Sequence, residues 1–478
     1  MNIEKLMKDF KSWKTTALGF VIGLMTILPE IAAFLDSDPE TVFSKTVFMT
    51  GLGMIGLGIA AKDGDKSTED VEVKMKRLTP LILLLLMATP VMAYEGFGKN
   101  VTGHLAGGGG YDTYDVDLLT DTLPNGVQGE LRHALQAGNR LIEFSVGGTI
   151  TMSNAVLSIA NSYTTIDGST APSPGITIVV PLGPPEYSFQ VYNNDAAITE
   201  IIVNNLRFEG NATIHPDSSG SDIMALQGVT AYGISNVVFD HITASGAQDG
   251  AFDTKGDLEY ITISNCFIYE AHTVTIISGS SSGYTVDKLT YWKNLWTRCN
   301  ERQPLYEWRV TNHNFVNNVV YGWGYFADND GGIFIYRPVA DHPNIEFIKN
   351  YYKFVNWGIY ALNGENNGIR LYNAETGNVT FTDNIFHDDE TDDVSYGTPT
   401  VISAEYRPTE LAAAGLGDSM VPYVGTHYPT QAELVLLNEV SLGIGGAGVS
   451  SAKYFFGKNV RKKPLEEKDA VMVAKVKK

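Results

Sequence analysis

Cysteine is scarce in this chain of 478 residues: only Cys266 and Cys299 occur. Two cysteines exclude a disulfide-built scaffold. Two buried free thiols are expected ahead of a single bridge, because unpaired cysteine behaves as a small apolar side chain. Basic residues are also few. Against 54 Asp and Glu stand 34 Lys and Arg, a formal net charge of −20. Nucleic acid is therefore excluded as a partner class, for want of clustered cations. The same deficit would repel an acidic polymer unless a bound divalent cation reversed the local field. Charged residues make up only 18% in all, whereas glycine (48), tyrosine (24) and phenylalanine (21) are plentiful. That balance fits an all-β chain with many tight turns better than a helical one.

Long apolar runs appear in the first ninety residues, at 15–35 (TTALGFVIGLMTILPEIAAFL) and 46–61 (TVFMTGLGMIGLGIAA), both near lysines. The first is long enough to span a bilayer and the second is marginal. Pro29 and Glu30 interrupt the first, so residues 1–74 read as two hydrophobic helices forming a hairpin in or on a membrane. With its Ala61-Lys-Asp-Gly-Asp65 ending, this stretch resembles a small phage holin-like membrane protein. Met75-Lys-Arg77 then leads into the apolar Leu78–Met87 and ends Val91-Met-Ala93 before Tyr94. A basic start, a short apolar core and small residues at the cut are the pattern of a secretory signal peptide over 75–93. A signal pattern beginning at an internal methionine points to two joined reading units. A three-span anchor for the body is the alternative.

From about Ala197 one phrase recurs: a few alternating apolar residues, an asparagine or its like, then a second short strand. It runs through IIVNNLRF (to Phe208), VVFDHITA (to Ala244), ITISNCFI (to Ile268), LTYWKNLW (to Trp296), FVNNVVY (to Tyr321), FIKNYYKF (to Phe354) and VTFTDNIF (to Phe386). Repeats of this length signal a solenoid, each unit burying an apolar strip that only its neighbours can cover. The residue opening each second strand (Asn205, His241, Asn265, Asn294, Asn318, Asn350, Asn384) is expected to form a hydrogen-bonded ladder along the stack. The expected fold over 94–453 is a right-handed parallel β-helix. Open ends of such a stack need covering, and two amphipathic helices are available as caps: Gly129–Gln136 at the start and Thr430–Glu439 at the far end. The lysine-rich 454–478 reads as a basic, solvated tail.

Chemistry concentrates in Asp249-Gly-Ala-Phe-Asp253 and, about fifty residues on, Arg302-Gln-Pro304. Two carboxylates four apart form half a cage for a hard cation, which takes oxygen ligands. An arginine beside a proline adds a positive charge that can act on an anionic substrate. Together they point to calcium-assisted chemistry on an acidic polysaccharide.

Several stretches, in order, resemble the pectate lyase-like proteins of polysaccharide lyase family one. They are Glu95-Gly-Phe-Gly98, Gly129-Glu-Leu-Arg132, Glu143–Ile150, Thr165-Ile-Asp-Gly168, Asn236-Val-Val-Phe-Asp-His241, Asp253-Thr-Lys-Gly256 and Asn317–Gly324. The resemblance runs from about Glu95 to about Lys353 and implies the right-handed parallel β-helix. It implies calcium ligands at Asp222, Asp249 and Asp253, and a catalytic arginine at Arg302. Asp240 is implied to be structural, tying one coil to the next. The family's substrate-binding lysine, one coil after the carboxylate pair, falls here on Thr273-Val274, which leaves His272 as the nearest side chain able to carry a positive charge. Its second arginine falls on Glu307, with Arg309 two residues further as a substitute, and a further aspartate falls on Gly220. The expectation is a secreted, calcium-dependent lyase that cleaves a uronic-acid polymer such as pectate by β-elimination, with an alkaline optimum. The thinned substrate cations keep a rival open, a non-catalytic glycan-binding β-helix of the phage-spike or surface kind.

Overall fold

The computed structural model describes residues 94–444, except 109, 181–186, 193–195, 211–221, 229–231, 280–282, 323–332, 336–343, 354–368, 372–377, 388–405, 412, 414–415 and 417–423. Contacts separate Met1–Ala93 from Tyr94–Lys478, and all described residues lie in the second unit. The apolar runs at 15–35 and 46–61, the signal-like segment 75–93 and the 454–478 tail lie outside the described residues. Among the described residues no helix is long and apolar enough to cross a membrane.

Among the described residues, three parallel sheets of ten, nine and eight strands run along the body, and successive coils add one strand to each. Sheet 1 extends from Asp112–Val116 to Asn378–Thr382, sheet 2 from Gly148–Thr151 to Ile385–His387, and sheet 3 from Leu157–Ile159 to Ile369–Leu371. This is the right-handed parallel β-helix that the repeat predicts. Alternation along each strand sends every second side chain inward. Equivalent inward positions then stack coil on coil: in sheet 1, Ile201, Val237, Ile261 and Leu289 sit in register and all are buried.

The corner between sheets 1 and 2 differs from expectation. Two adjacent columns run along it, and the sequence phrase mixes them. Asn205, His241 and Asn265 occupy the outer column with Lys293, Asn317, Lys349 and Asp383, all with φ between 51° and 55°. The inner column continues Leu206, Ile242, Cys266 into Asn294, Asn318, Asn350 and Asn384. Among the described residues, these four asparagines form the amide ladder, at 2.9, 3.2 and 2.8 Å, and the Asn294 carboxamide also accepts from the Cys266 amide. Asparagine suits both columns, since it tolerates left-handed backbone and also bonds neighbouring peptides. Cys266 and Cys299 are buried free thiols.

Two of the three faces are covered by the chain's own flanking segments. Residues 94–107 cross sheet 1, where the Phe97 and Gly98 amides donate to the Thr290 and Thr262 hydroxyls at 3.1 and 2.8 Å. A Cβ on Gly98 would lie 2.9 Å from Thr262 and Val238 atoms, so the strap needs glycine to approach this closely. Residues 406–411 join it: Trp292 Nε1 donates to the Thr409 carbonyl at 3.0 Å. Sheet 2 is covered by the helix Gln431–Ile444, whose Leu436, Leu437 and Val440 pack on Phe267, Leu295 and Val319. That helix therefore lies along the flank of the solenoid and not over its far end. The outward apolar column of sheet 2 demands cover, and Arg207 fixes the helix there. No hydrogen bond among the described residues ties either segment to sheet 3.

At the starting end, the short helix Leu131–Ala134 joins Tyr114, Val116 and Ile142 in the core. Glu130, just before it, is enclosed and accepts from the Thr120 and Thr122 hydroxyls (2.5 and 2.7 Å) and from the Thr122 and Val127 amides (3.0 and 2.9 Å). Burial opposes its ionisation, but these donors outweigh burial and hold its pKa down at about 2 from the ordinary 4.5. The anion's stabilisation is complete above pH 4.5 and is lost as pH falls toward 2. Glu130→Gln is expected to lose about 2 kcal/mol at pH 7. Denaturant titrations should show the gap to wild type closing below pH 4.5, and a gap independent of pH would contradict this account.

Candidate active site

Sheet 3 carries the acidic residues singled out in the sequence. Asp222 opens the strand Asp222–Gly228, and Asp253 is the second residue of the neighbouring strand Phe252–Gly256. Both are buried, at 4% and 2% exposure. One oxygen of each is fixed by backbone: Asp222 Oδ1 accepts from the Gly250 amide, and Asp253 Oδ1 from the Ile276 amide at 3.1 Å. A Cβ on Gly250 would lie 2.6 Å from Asp253 Oδ1 and 2.8 Å from Asp222 Oδ1, so only glycine lets the chain pass between the two carboxylates.

Asp249 lies just before this strand, half-buried, and Thr273 Oγ1 donates to it at 3.4 Å. Thr273 bridges to Gly250 on one side and to Glu301 on the other. The coils carrying Asp249, Thr273 and Arg302 are therefore consecutive, and the position expected for a lysine holds a neutral hydroxyl. Arg302 has left-handed backbone (φ 57°), and its carbonyl accepts from the Thr275 amide at 3.0 Å. Its Nη1 lies 3.5 Å from Asp249 Oδ1 and its Nε 3.5 Å from Glu301 Oε1.

His272 is brought to this cluster, but it is buried and faces Glu301, with Nε2 3.7 Å from Oε1. Arg309 is placed differently. It lies beyond the end of the strand Leu305–Tyr306, where Nη1 donates to the Gly283 carbonyl at 3.4 Å. Glu307 directly follows that strand. Asp240 accepts from Ser264 and Asn265 of the next coil at 2.7 and 2.8 Å and from His241 at 2.6 Å, which gives it a coil-tying role.

Lys255 completes the site and has no role in the sequence reading. Its Nζ is 2.5 Å from Asp253 Oδ2 and 4.0 Å from Asp222 Oδ2. The signal was present in the pattern: Asp253 and Lys255 are two apart on one strand and so share a face. Gly250 and Glu301 are also given no role in the sequence reading, since the need for each arises only when coils are stacked.

Negative charge is crowded here. Burial, followed by the charge of Asp253, pushes Asp222 above the ordinary carboxylate value, with Lys255 offsetting part of the rise. Burial also raises Asp249, against the pull of Arg302 and with a further push from Asp253. Burial works against the Lys255 ammonium, but Asp253, Tyr187 and Asp222 outweigh it and lift its pKa above the ordinary lysine value. Such a cluster asks for cations. Among the described residues no three acidic, His or Cys groups are gathered as a ready metal site. The ammonium stands among the carboxylates instead, as a cation in the place where one is needed. The all-oxygen donor set of Asp222, Asp249 and Asp253 suits calcium better than a transition metal.

Known proteins share this arrangement of coils. Residues 75–341, more than half of the chain, match the family described as pectate lyase. The chain is 28% identical over 362 residues to a "Probable pectate lyase C" of Aspergillus flavus, covering 73% of this chain and 76% of the relative. It is 30% identical over 287 residues to "Probable pectate lyase 18" of Solanum lycopersicum, covering 57% and 65%. Among solved structures, the major allergen from cedar pollen superposes with a TM-score of 0.53 at 17% identity, over 76% of this chain and 97% of the allergen. At that identity the likeness speaks for the fold alone. The extent of the family match decides the matter: this chain belongs to the pectate lyase family.

Proposed function

We propose that this protein is a secreted, calcium-dependent polysaccharide lyase that cleaves a uronic-acid polymer such as pectate by β-elimination. The observation carrying this reading is the convergence on one face of the solenoid of Asp222, Asp249 and Asp253 from two adjacent coils and Arg302 from two coils further on. In the reaction, the proton on the carbon next to the uronate carboxylate leaves to Arg302. The electron pair forms a carbon–carbon double bond, and the bond to the leaving glycosidic oxygen breaks. Asp222, Asp249 and Asp253 would hold the metal. When bound, calcium supplies charge that stabilises the carboxylate side of the reacting centre. Arg302 must shed its proton to act as a base, and its reference pKa is about 12.5 or more, which favours alkaline conditions. His272 and Arg309 remain the candidates for substrate contact in the sequence reading. Lys255 joins them as the cation beside Asp253. Secretion is part of the reading on the strength of the signal-like pattern at 75–93.

The test is ultraviolet absorbance of unsaturated uronate ends, with polygalacturonate at alkaline pH, in calcium or in chelator. Signal that requires calcium and falls sharply in Asp253→Asn is the expected result. Saturated ends released in chelator would point to a metal-free hydrolase and remove this reading. Glycan binding without any product would favour the second reading, a non-catalytic binding protein, which the hydroxyl at Thr273 and the carboxylate at Glu307 support.

A further inference from the structure

Both cage carboxylates use one oxygen in the same way and leave the other to the same partner. Asp222 Oδ1 and Asp253 Oδ1 are committed to the Gly250 and Ile276 amides. Asp222 Oδ2 and Asp253 Oδ2 face Lys255 Nζ, at 4.0 and 2.5 Å. The oxygens that a metal would draw on are therefore those already held by an ammonium. Tyr187 borders the same group, with its hydroxyl 3.4 Å and its ring centre 5.5 Å from Nζ. The lysine side chain is 27% exposed, so its flexible stem gives the head a path to water.

We propose that Lys255 is the resident counter-cation of the carboxylate cage, displaced from Asp253 when calcium enters, and that it thereby sets how tightly this chain holds the metal. The inference rests on the calcium reading above. Four carboxylates gather here, Asp222, Asp249, Asp253 and Glu301, against two cations, Lys255 and Arg302, and the outer oxygens of Asp222 and Asp253 share the single ammonium of Lys255. A divalent ion drawn to those same oxygens meets the ammonium at close range and is repelled unless the ammonium withdraws. Lys255 therefore does two jobs. It relieves repulsion between Asp222 and Asp253 when no metal is present, and it competes with calcium for their outer oxygens.

Calorimetric titration of calcium into the full chain tests this directly. Lys255→Met is expected to bind calcium at least tenfold more tightly than wild type, about 1.4 kcal/mol, and to melt at lower temperature in chelator. Lys255→Arg, which keeps the charge, should stay near the wild-type affinity. A second measurement needs no variant: acetylation of Lys255 in wild type, read by peptide mass spectrometry, should speed up severalfold on adding calcium while Lys349 does not change. This decides the matter should Lys255→Met fail to fold. Wild-type binding with no tightening in Lys255→Met, or acetylation indifferent to calcium, overturns the inference alone. Absence of calcium binding by both proteins overturns the metal reading and the inference with it.

Discussion

Replacing Arg302 with alanine is expected to lower release of unsaturated uronate by about 10²- to 10⁴-fold, the usual weight of a positioned proton acceptor. The position is well defined in the structure. Stacked coils fix the backbone through the Thr275 amide, and Asp249 and Glu301 flank the guanidinium at 3.5 Å each. Those two contacts also separate the catalytic role from a structural one. If Arg302 only neutralised Asp249, Arg302→Lys would preserve most of the activity, because lysine keeps the charge. If it takes the proton, lysine cannot reproduce the geometry of the planar group and should fall nearly as far as alanine. Calcium affinity gives an independent readout, since Asp249 loses a competing cation in Arg302→Ala and binding should hold or tighten. An alanine variant with wild-type activity would place the base elsewhere.

The solenoid was legible in the sequence because period-two alternation and corner residues recur in every coil. Register was less so. The phrase ending in Asn205, His241 and Asn265 looks the same as the one ending in Asn294 and Asn318, yet the two groups occupy neighbouring columns. A shift of one residue changes which side chain enters the core, and no local preference of asparagine distinguishes the columns. The pair Asp249 and Asp253 is visible as a spacing. Asp222, 27 residues before Asp249, joins it in the sequence only through the family resemblance. Lys255 escaped notice for the opposite reason: a lysine two residues from an aspartate looks like an ordinary solvated pair, and only the second carboxylate from the coil before makes it part of a cage. The helix at 431–444 was legible as a helix, but its docking site was not. A charge on sheet 2, more than two hundred residues earlier, determines where it lies.

That charge carries the second large effect. Arg207 and Glu433 form a buried two-pronged pair, with Nε to Oε1 at 2.8 Å and Nη2 to Oε2 at 2.9 Å, and side chains 2% and 1% exposed. Arg207 also donates to the Tyr428 carbonyl at 2.6 Å and to the Thr426 and Thr177 hydroxyls at 3.0 and 3.2 Å. Glu433 in turn closes the start of the helix: its carboxylate accepts from the Thr430 amide at 2.6 Å, while its own amide donates to Thr430 Oγ1 at 3.2 Å. One arginine thus fixes the chain before the helix, the helix start and the sheet together. Arg207→Met is expected to cost about 3–5 kcal/mol, because Glu433 is left as a buried charge without its partner. Adding Glu433→Leu removes that charge too. The double variant should recover most of the loss, since the Leu436, Leu437 and Val440 contacts with sheet 2 remain. Denaturant unfolding gives the totals, and hydrogen exchange at the 434–440 amides shows whether the helix is released before the coils. If the double variant is no more stable than Arg207→Met, the hydrogen bonds to Tyr428 and Thr426 hold the segment, and the ion pair contributes little.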